Sequence, residues 1–344
     1  MTEPPPAPHP VRHPIPMGVA TGIGSLPGTD PRAATVMLTE ALPDFPHLVE
    51  LPGRGPGADL VGRTAAALVD LHVDLQPAGW RLVDRAGRDE RRAAAWLEED
   101  LDALTELTAG WGGTVKIALA GPWTLAAELD LPRGHRALRD AGAVRDLADS
   151  LAETLGEQLG ELRRRLGPTG VVVQLDEPGL PAVLAGQVGT PSGLGRLPAV
   201  DPVLARERLA PVLAAAHSAG SPVVVHCCAA DAPVALLAGA GADAVSVDLA
   251  VLASPRLDEL AEAMDAGLLL LAGAVPTGGP YEASAALAAL TRLARWVGRS
   301  VEGLGAAVSI SPACGLAGLA PQQAEAAYRA AVAAAQRLAQ GEGE

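Results

Sequence analysis

Short apolar runs alternate with longer amphipathic or alanine-rich segments along most of the chain. The runs are rich in Val, Leu, Ile or Ala, which predicts buried β-strands at residues 17–25, 47–51, 114–120, 170–175, 223–225, 244–247, 268–272 and 306–310. The segments between them predict helices at residues 31–42, 58–75, 89–109, 140–166, 202–219, 232–240, 255–266, 283–298 and 321–339.

The regular alternation of strands and helices sets the expected fold class. Strands separated by helices pair in parallel through right-handed crossovers. Eight such units in succession predict a single (β/α)₈ TIM barrel over residues 17–340. An open doubly wound sheet is the alternative. The unbroken run of units, without a linker that divides them, favours the barrel.

Composition narrows the function classes. Hydrophobic residues make up 49% of the 344 residues but aromatic residues only 2%, so the core must consist of Ala, Leu and Val. A net charge of −14, with no basic patch, argues against a nucleic-acid partner. Three cysteines, two of them adjacent, do not form a secreted disulfide framework, which favours a reducing, cytoplasmic location.

Two further features bear on location. Residues 1–16 are rich in proline and lack an apolar run, which predicts a flexible tail and not a secretory signal. The longest apolar runs fall short of the roughly 18 residues that a membrane-spanning helix needs, so no membrane partner is expected.

Chemically distinctive side chains follow the predicted strands at the point where each strand ends. They are Ser25, Glu50, Asp176 with Glu177, His226 with Cys228, Asp248 and Cys314. Active sites of (β/α)₈ barrels lie at the carboxyl ends of the strands. We therefore expect these side chains to form one site.

Three of these residues suggest a metal site. His226 and Cys228 lie two positions apart at a strand end, so their side chains point to the same side. Together with Cys314 they offer one nitrogen and two sulfur ligands, a set that suits Zn²⁺, and Asp248 could add an oxygen. A core histidine with small buried cysteines is the alternative, and the residues alone leave both interpretations open.

The remaining polar residues have less specific interpretations. Of Asp176 and Glu177, only one can face the barrel mouth; a salt bridge or a helix N-cap is the alternative role. Ser25 lies in a glycine-rich turn whose amides could hold a carboxylate, although an ordinary tight turn fits as well. Trp123 could stack on a flat ligand or pack in the core. Lys116 near the start of its strand predicts a structural ion pair at the opposite, stability face.

Five short motifs carry a family resemblance. They are Ile23–Pro27, Val115-Lys116 with Gly121-Pro122 and Thr124, Gln174–Pro178, His226–Cys228 and Pro312–Leu316. In order and content they resemble the C-terminal catalytic barrel of cobalamin-independent methionine synthase, within the superfamily of uroporphyrinogen decarboxylase-like barrels. The resemblance extends over most of the chain.

The resemblance implies a metal centre with a zinc-bound substrate thiol. His226, Cys228 and Cys314 would hold Zn²⁺. The family's fourth ligand is a glutamate at the end of the next strand, and Asp248 takes its place here with a shorter side chain.

The resemblance also implies an amino-acid pocket. Ser25 would hold the carboxylate of homocysteine and Asp176 its ammonium group, with Glu50 as a second ammonium-binding carboxylate. The implied activity is zinc-dependent methyl transfer to homocysteine, which yields methionine. The methyl donor would be 5-methyltetrahydrofolate or a methyl-corrinoid protein.

Two departures from the family concern the methyl donor. The family's full-length enzymes carry a second, N-terminal half that helps to hold the folate, and this sequence has the elements of one barrel. The family's histidine after the seventh strand is absent from residues 272–277. Two alternatives follow: a zinc- and thiol-binding protein without catalysis, and a metal-free decarboxylase, for which the arginine cluster expected near residues 18–28 is missing.

Overall fold

The computed structural model describes residues 14–341 and contains a curled sheet of six parallel strands in the order β3-β4-β5-β6-β7-β8. A separate antiparallel hairpin, β1-β2, precedes the sheet. The strands are β1 His72–Gln76, β2 Gly79–Val83, β3 Thr114–Ala120, β4 Gly170–Asp176, β5 Val223–His226, β6 Ala244–Asp248, β7 Leu269–Val275 and β8 Val308–Pro312.

Helices cover the outside of the sheet and connect successive strands. They are α1 Pro31–Ala41, α2 Leu60–Ala65, α3 Arg88–Thr108, α4 Pro122–Glu128, α5 Ala141–Leu166, α6 Leu180–Leu184, α7 Pro202–Ser218, α8 Val234–Gly239, α9 Ser254–Asp265, α10 Ala283–Trp296, α11 Val301–Leu304 and α12 Pro321–Ala339. The long helices agree with the predicted ranges to within two residues. The short helices α4, α6 and α11 were not predicted, because so few residues show no helical periodicity.

The first two predicted strands are not regular strands. Residues 17–25 and 47–51 lie beside the two edges of the sheet and touch it, and each other, through single parallel bridges: Ala20 with Ile310, His47 with Lys116, and Ser25 with Glu50. Glycine weakens a strand, and residues 17–25 contain three glycines; proline lacks the amide that a ladder needs, and Pro46 and Pro52 flank residues 47–51. The sheet is thus a curled half-barrel, and the predicted complete (β/α)₈ barrel is not confirmed.

The predicted helix at residues 58–75 is wrong over most of its length. Helix α2 ends at Ala65, and the chain then forms the β1-β2 hairpin. Apolar side chains at alternate positions, such as Val73 and Trp80, face the core from this hairpin. The period of two was a strand signal that the helical interpretation overlooked.

The interior of the curled sheet has an apolar floor below its polar rim. The floor consists of Ile15, Phe45, Val172, Val224, Ala244 and Leu271. Because strand side chains alternate, the next inward positions on β4 and β5 are Gln174, Asp176 and His226. The burial of Ile15 shows that the end of the predicted tail belongs to the core, while residues 1–13 lie outside the described residues.

Candidate active site

The carboxyl ends of β5 and β8 bring an imidazole and two thiols together. His226 is the last residue of β5, Cys228 lies two residues further on, and Cys314 follows β8 by two residues. Their ligand atoms all lie within 4.8 Å of one another. The two sulfur atoms are 3.4 Å apart. This spacing lets a single ion contact all three atoms.

The imidazole of His226 is oriented for metal binding. Its Nδ1 is hydrogen-bonded to the hydroxyl of Ser246, which lies on β6, at 3.0 Å, and the ring donates to that hydroxyl in the tautomer with the proton on Nδ1. This bond leaves the lone pair on Nε2, which is buried and has no hydrogen-bond partner among the described residues. A histidine ligand in proteins is held in this way, with a second group fixing the far nitrogen. The orphaned Nε2 and the N, S, S donor set therefore fit Zn²⁺.

The two thiols perturb each other. The hydrogen bond from Cys228, and then the nearby His226, lower the pKa of Cys314 to about 4. The same hydrogen bond to Cys314 raises the pKa of Cys228. Cys314 is thus the more acidic thiol of the pair, and a thiolate is the form in which cysteine binds a metal.

Asp248 does not join this cluster. It ends β6, and its Oδ1 accepts the amide N–H of Ala250 at 2.8 Å as the chain turns away. Neither of its oxygens falls within the group of converging ligand atoms. The structure thus brings together three of the four predicted metal ligands, and Asp248 as the fourth stays a prediction.

His226, Cys228 and Cys314 line a small cavity of about 200 Å³. Six of the eight side chains that the sequence predicts at this site line it: Ser25, Glu50, Asp176, His226, Cys228 and Cys314. The lining thus combines two sulfur atoms and an imidazole with a hydroxyl and two carboxyl groups.

Ser25 enters this cavity because Gly315 makes room for it. A Cβ atom at residue 315 would lie 2.0 Å from Ser25 Oγ. The amide of Leu316 also donates to the Ser25 carbonyl at 2.8 Å. The loop that carries Cys314 and the turn that carries Ser25 are therefore fixed to each other.

Two carboxyl groups of the cavity are almost completely buried. Glu50 is 6% exposed and Asp176 5%. Burial raises the pKa of Glu50 to about 8, against the opposing charge of Arg63. Burial also raises the pKa of Asp176 to about 6, and the neighbouring His226 and Lys116 oppose the shift. A cationic group in the cavity would stabilise both carboxylates in the ionised form.

Glu177 has a structural role instead. Its carboxylate accepts the backbone amides of Trp123 and Thr124 at 3.0 and 2.8 Å, and the hydroxyl of Thr124 at 2.8 Å. It therefore satisfies otherwise unpaired amides at the N-terminus of α4. Of the two adjacent carboxylates, Asp176 faces the cavity and Glu177 caps a helix.

The burial of Trp123 and of Lys116 decides between their predicted roles. Trp123 is 1% exposed and donates from its indole to the carbonyl of Ala205 at 2.9 Å, so it packs in the core. The predicted ion pair of Lys116 at the opposite face is wrong. Lys116 is completely buried, and its Nζ donates to the neutral oxygens of Ile23 and Gln174.

Sequence reasoning missed Gln174 and Ser246 as site residues. Both lie on inward positions of a strand, two residues before a predicted site residue. A polar side chain at an inward position of an apolar strand is the signal that could have identified them.

No helix among residues 14–341 has both the length and the apolar character needed to cross a membrane.

Comparisons with known proteins agree with the motifs. The family described as cobalamin-independent synthase, catalytic domain, matches residues 17–337. A search of curated proteins finds no match. Among solved structures, a B12-independent methionine synthase from Shewanella sp. W3-18-1, in complex with selenomethionine, superimposes with a TM-score of 0.63 at 15% identity. The alignment covers 94% of this chain and 98% of that protein, which shows a shared fold.

Proposed function

The chain belongs to the catalytic-domain family of the cobalamin-independent synthases, and from that premise we propose that it methylates the thiol of homocysteine to form methionine. The observation that carries the proposal is the orphaned Nε2 of His226, which converges with two thiols on a cavity lined by buried carboxyl groups. Such a cavity contains ligands for a metal ion that can bind a thiol, and carboxyl groups that can bind an ammonium group.

The amino-acid part of the substrate would lie against Ser25, Asp176 and Glu50. Ser25 donates from its hydroxyl to the substrate carboxylate. Asp176 and Glu50 accept hydrogen bonds from the ammonium group, which replaces the water that burial has removed from them. The structure of the Shewanella protein with selenomethionine supports an amino-acid ligand of this type.

The thiol would lie at the metal wall. His226 Nε2, Cys228 Sγ and Cys314 Sγ would hold Zn²⁺, with Asp248 as the candidate fourth ligand. When bound, the ion supplies a Lewis acid that lowers the pKa of the substrate thiol, which is otherwise largely protonated at neutral pH. Ser246 keeps the imidazole ring in its metal-binding tautomer, and the small buried cavity holds the sulfur in line with the incoming methyl group.

The methyl donor is 5-methyltetrahydrofolate or a methyl-corrinoid protein. Methyl transfer from folate releases an amine that needs a proton, and thus a general acid. Residues 272–280 contain no titratable side chain where the family has its histidine. A methyl-corrinoid releases a cob(I) species that leaves without a proton. The missing acid therefore favours the corrinoid donor.

Zinc analysis and product formation test the proposal. We expect purified protein to contain about one zinc per chain, and Cys228→Ser and Cys314→Ser to lose both metal and activity. Cys227→Ser is the matched control, because Cys227 is buried on the other side of the strand end. Methionine formation should be faster with methylcobalamin than with 5-methyltetrahydrofolate. Wild-type protein without zinc, or full activity in Cys314→Ser, would overturn the proposal.

The decarboxylase alternative receives no support from the cavity. Uroporphyrinogen decarboxylases bind a polyanion, and the residues that line this cavity include no arginine or lysine. Methyl transfer to a small amino acid fits the cavity better in both size and charge.

A further inference from the structure

The only lysine of the chain is completely buried inside the curled sheet. Lys116 lies on β3, and a buried lysine is rare because the loss of water around its ammonium group is costly. No carboxylate forms an ion pair with it among the described residues, and its Nζ donates to the carbonyl of Ile23, at 3.2 Å, and to Oε1 of Gln174. A lysine kept in this environment needs an explanation beyond packing.

The bond from Lys116 fixes the orientation of the Gln174 amide. Lys116 Nζ donates to the amide oxygen, which is the side of the amide that faces β3. Its Nε2 then faces the other way and donates to Oδ1 of Asp176 at 2.7 Å. Without Lys116 the amide oxygen would be left buried without this donor, and the hydrogen bond that ties Gln174 to β3 would be lost.

Lys116 and Gln174 also contact the turn that carries Ser25. The carbonyl of Ile23 accepts from both Lys116 Nζ and Gln174 Nε2, the latter at 2.9 Å. Ile23 precedes Gly24 and Ser25 in the turn that enters the cavity. Lys116 therefore contacts the turn that carries Ser25 directly, at the Ile23 carbonyl, and it contacts Asp176 through the Gln174 side chain.

We propose that Lys116 is a positioning residue that fixes the distance between the carboxylate-binding turn at Ser25 and the ammonium-binding Asp176. It thereby makes the pocket selective for thiols that carry both groups of an α-amino acid. Lys116 itself does not reach the cavity, and acts through Gln174 and the Ile23 carbonyl. This inference rests on the proposed function, because it assumes that an amino-acid thiol occupies the pocket.

Selectivity between two thiols tests the inference. L-Homocysteine carries both groups, whereas 4-mercaptobutanoic acid lacks the ammonium group and has no need of the fixed distance. Binding of each thiol to zinc-loaded protein is measured by calorimetry, without a methyl donor. We expect Lys116→Met to weaken homocysteine binding by roughly ten- to a hundredfold and to change binding of 4-mercaptobutanoic acid by less than about threefold. Zinc content should not change.

A second variant tests the inference in case Lys116→Met does not fold. Gln174→Glu keeps the side-chain volume and gives Lys116 a charged partner, but it removes the amide donor to Asp176. We expect the same loss of selectivity as in Lys116→Met. Tyr328→Phe is the matched control, because it removes a buried hydrogen bond of 3.0 Å to His47, the residue that bridges to Lys116. It should lower the melting temperature without changing selectivity.

The possible outcomes separate the two proposals. A selective wild-type protein with equally selective Lys116→Met and Gln174→Glu variants would overturn the positioning role alone. An equal loss for both thiols would do the same, since it indicates a general structural defect. Wild-type protein that binds neither thiol would overturn the proposed function, and the inference with it.

Discussion

The two walls of the cavity are built in different ways. At the metal wall, the ligand atoms of His226, Cys228 and Cys314 meet directly, and Ser246 forms a hydrogen bond with the imidazole. At the amino-acid wall, each group depends on residues deeper in the sheet or on a neighbouring loop: Asp176 on Gln174 and Lys116, and Ser25 on the space left by Gly315. The metal wall thus consists of three ligands that converge directly, whereas the side chains of the amino-acid wall are held in place by residues behind or beside them.

This difference implies that the two walls can fail separately. Loss of the His226 ring should leave the amino-acid wall intact, because the hydrogen bond of the ring among residues 14–341 goes to Ser246, and its influence on the neighbouring Asp176 is through charge alone. Loss of amino-acid binding should likewise leave the metal in place. The variants below test that independence, beginning with the largest expected effect.

His226→Ala should abolish metal binding and methyl transfer. It removes the only nitrogen of the ligand set, and two thiols alone hold Zn²⁺ too weakly for a catalytic site. We expect zinc content to fall by more than about tenfold, while L-methionine binding, measured by calorimetry, stays within about threefold of wild type. His217→Ala is the control, because His217 pairs with Asp243 on the outside of the sheet. A parallel loss of methionine binding would show that the walls are coupled.

Asp176→Asn should produce the opposite pattern. The amide keeps an oxygen for Gln174 but loses the negative charge that attracts the substrate ammonium group. We expect the KM for homocysteine to rise by roughly ten- to a hundredfold, with zinc content unchanged. A KM that stays constant would remove Asp176 from the binding site.

The two walls also differ in how well the sequence predicts them. The pattern of His226 and Cys228 at a strand end is local, and alternation alone places both side chains on one side. The role of Lys116 was mispredicted because depth inside a sheet depends on which neighbours cover it, and that information is not local. Asp248 followed the family pattern, yet the turn to Ala250 engages one of its oxygens.

In the fold, too, local patterns are predicted better than features that depend on neighbouring residues. Helix α12 and strands β3 to β8 follow from apolar periodicity, because long or fully buried runs have a clear signal. Residues 17–25 and 47–51 keep their predicted places beside β8 and β3, but glycines within the first segment and prolines on either side of the second disfavour continuous pairing. Placement therefore follows from the order of the elements, whereas the regularity of each strand depends on its backbone chemistry.

Gly315→Ala should weaken amino-acid binding through Ser25. A Cβ atom at this position would displace the Ser25 hydroxyl, which the structure places 2.0 Å from it. We expect homocysteine affinity to fall by about tenfold with zinc retained, although Cys314 is adjacent. Gly318→Ala is the matched control, because Gly318 also lines the cavity but its added Cβ would meet no atom within 4 Å. Similar effects of both variants would argue against the role of Ser25.

The smallest expected effect concerns the pH dependence of stability. Burial raises the pKa of Glu50 from 4.5 to about 8, so the folded protein binds a proton that the unfolded chain has already released between these two values. The native state thus binds more protons, and stability that is fully present below pH 4.5 is lost as the pH rises toward 8. Glu50→Gln removes this titration and should flatten the fall, by on the order of 1 kcal/mol at pH 8.

Chemical denaturation of zinc-loaded protein at pH 6 and pH 8 measures this difference. Homocysteine should reduce it in the wild-type protein, because its ammonium group favours the ionised form of Glu50. The substitution Glu128→Gln on the exposed end of α4 serves as a control for the loss of one carboxylate. Equal pH profiles for wild type and Glu50→Gln would show that Glu50 is already ionised in the empty pocket. The amino-acid wall would then be ready to bind a cation without first losing a proton.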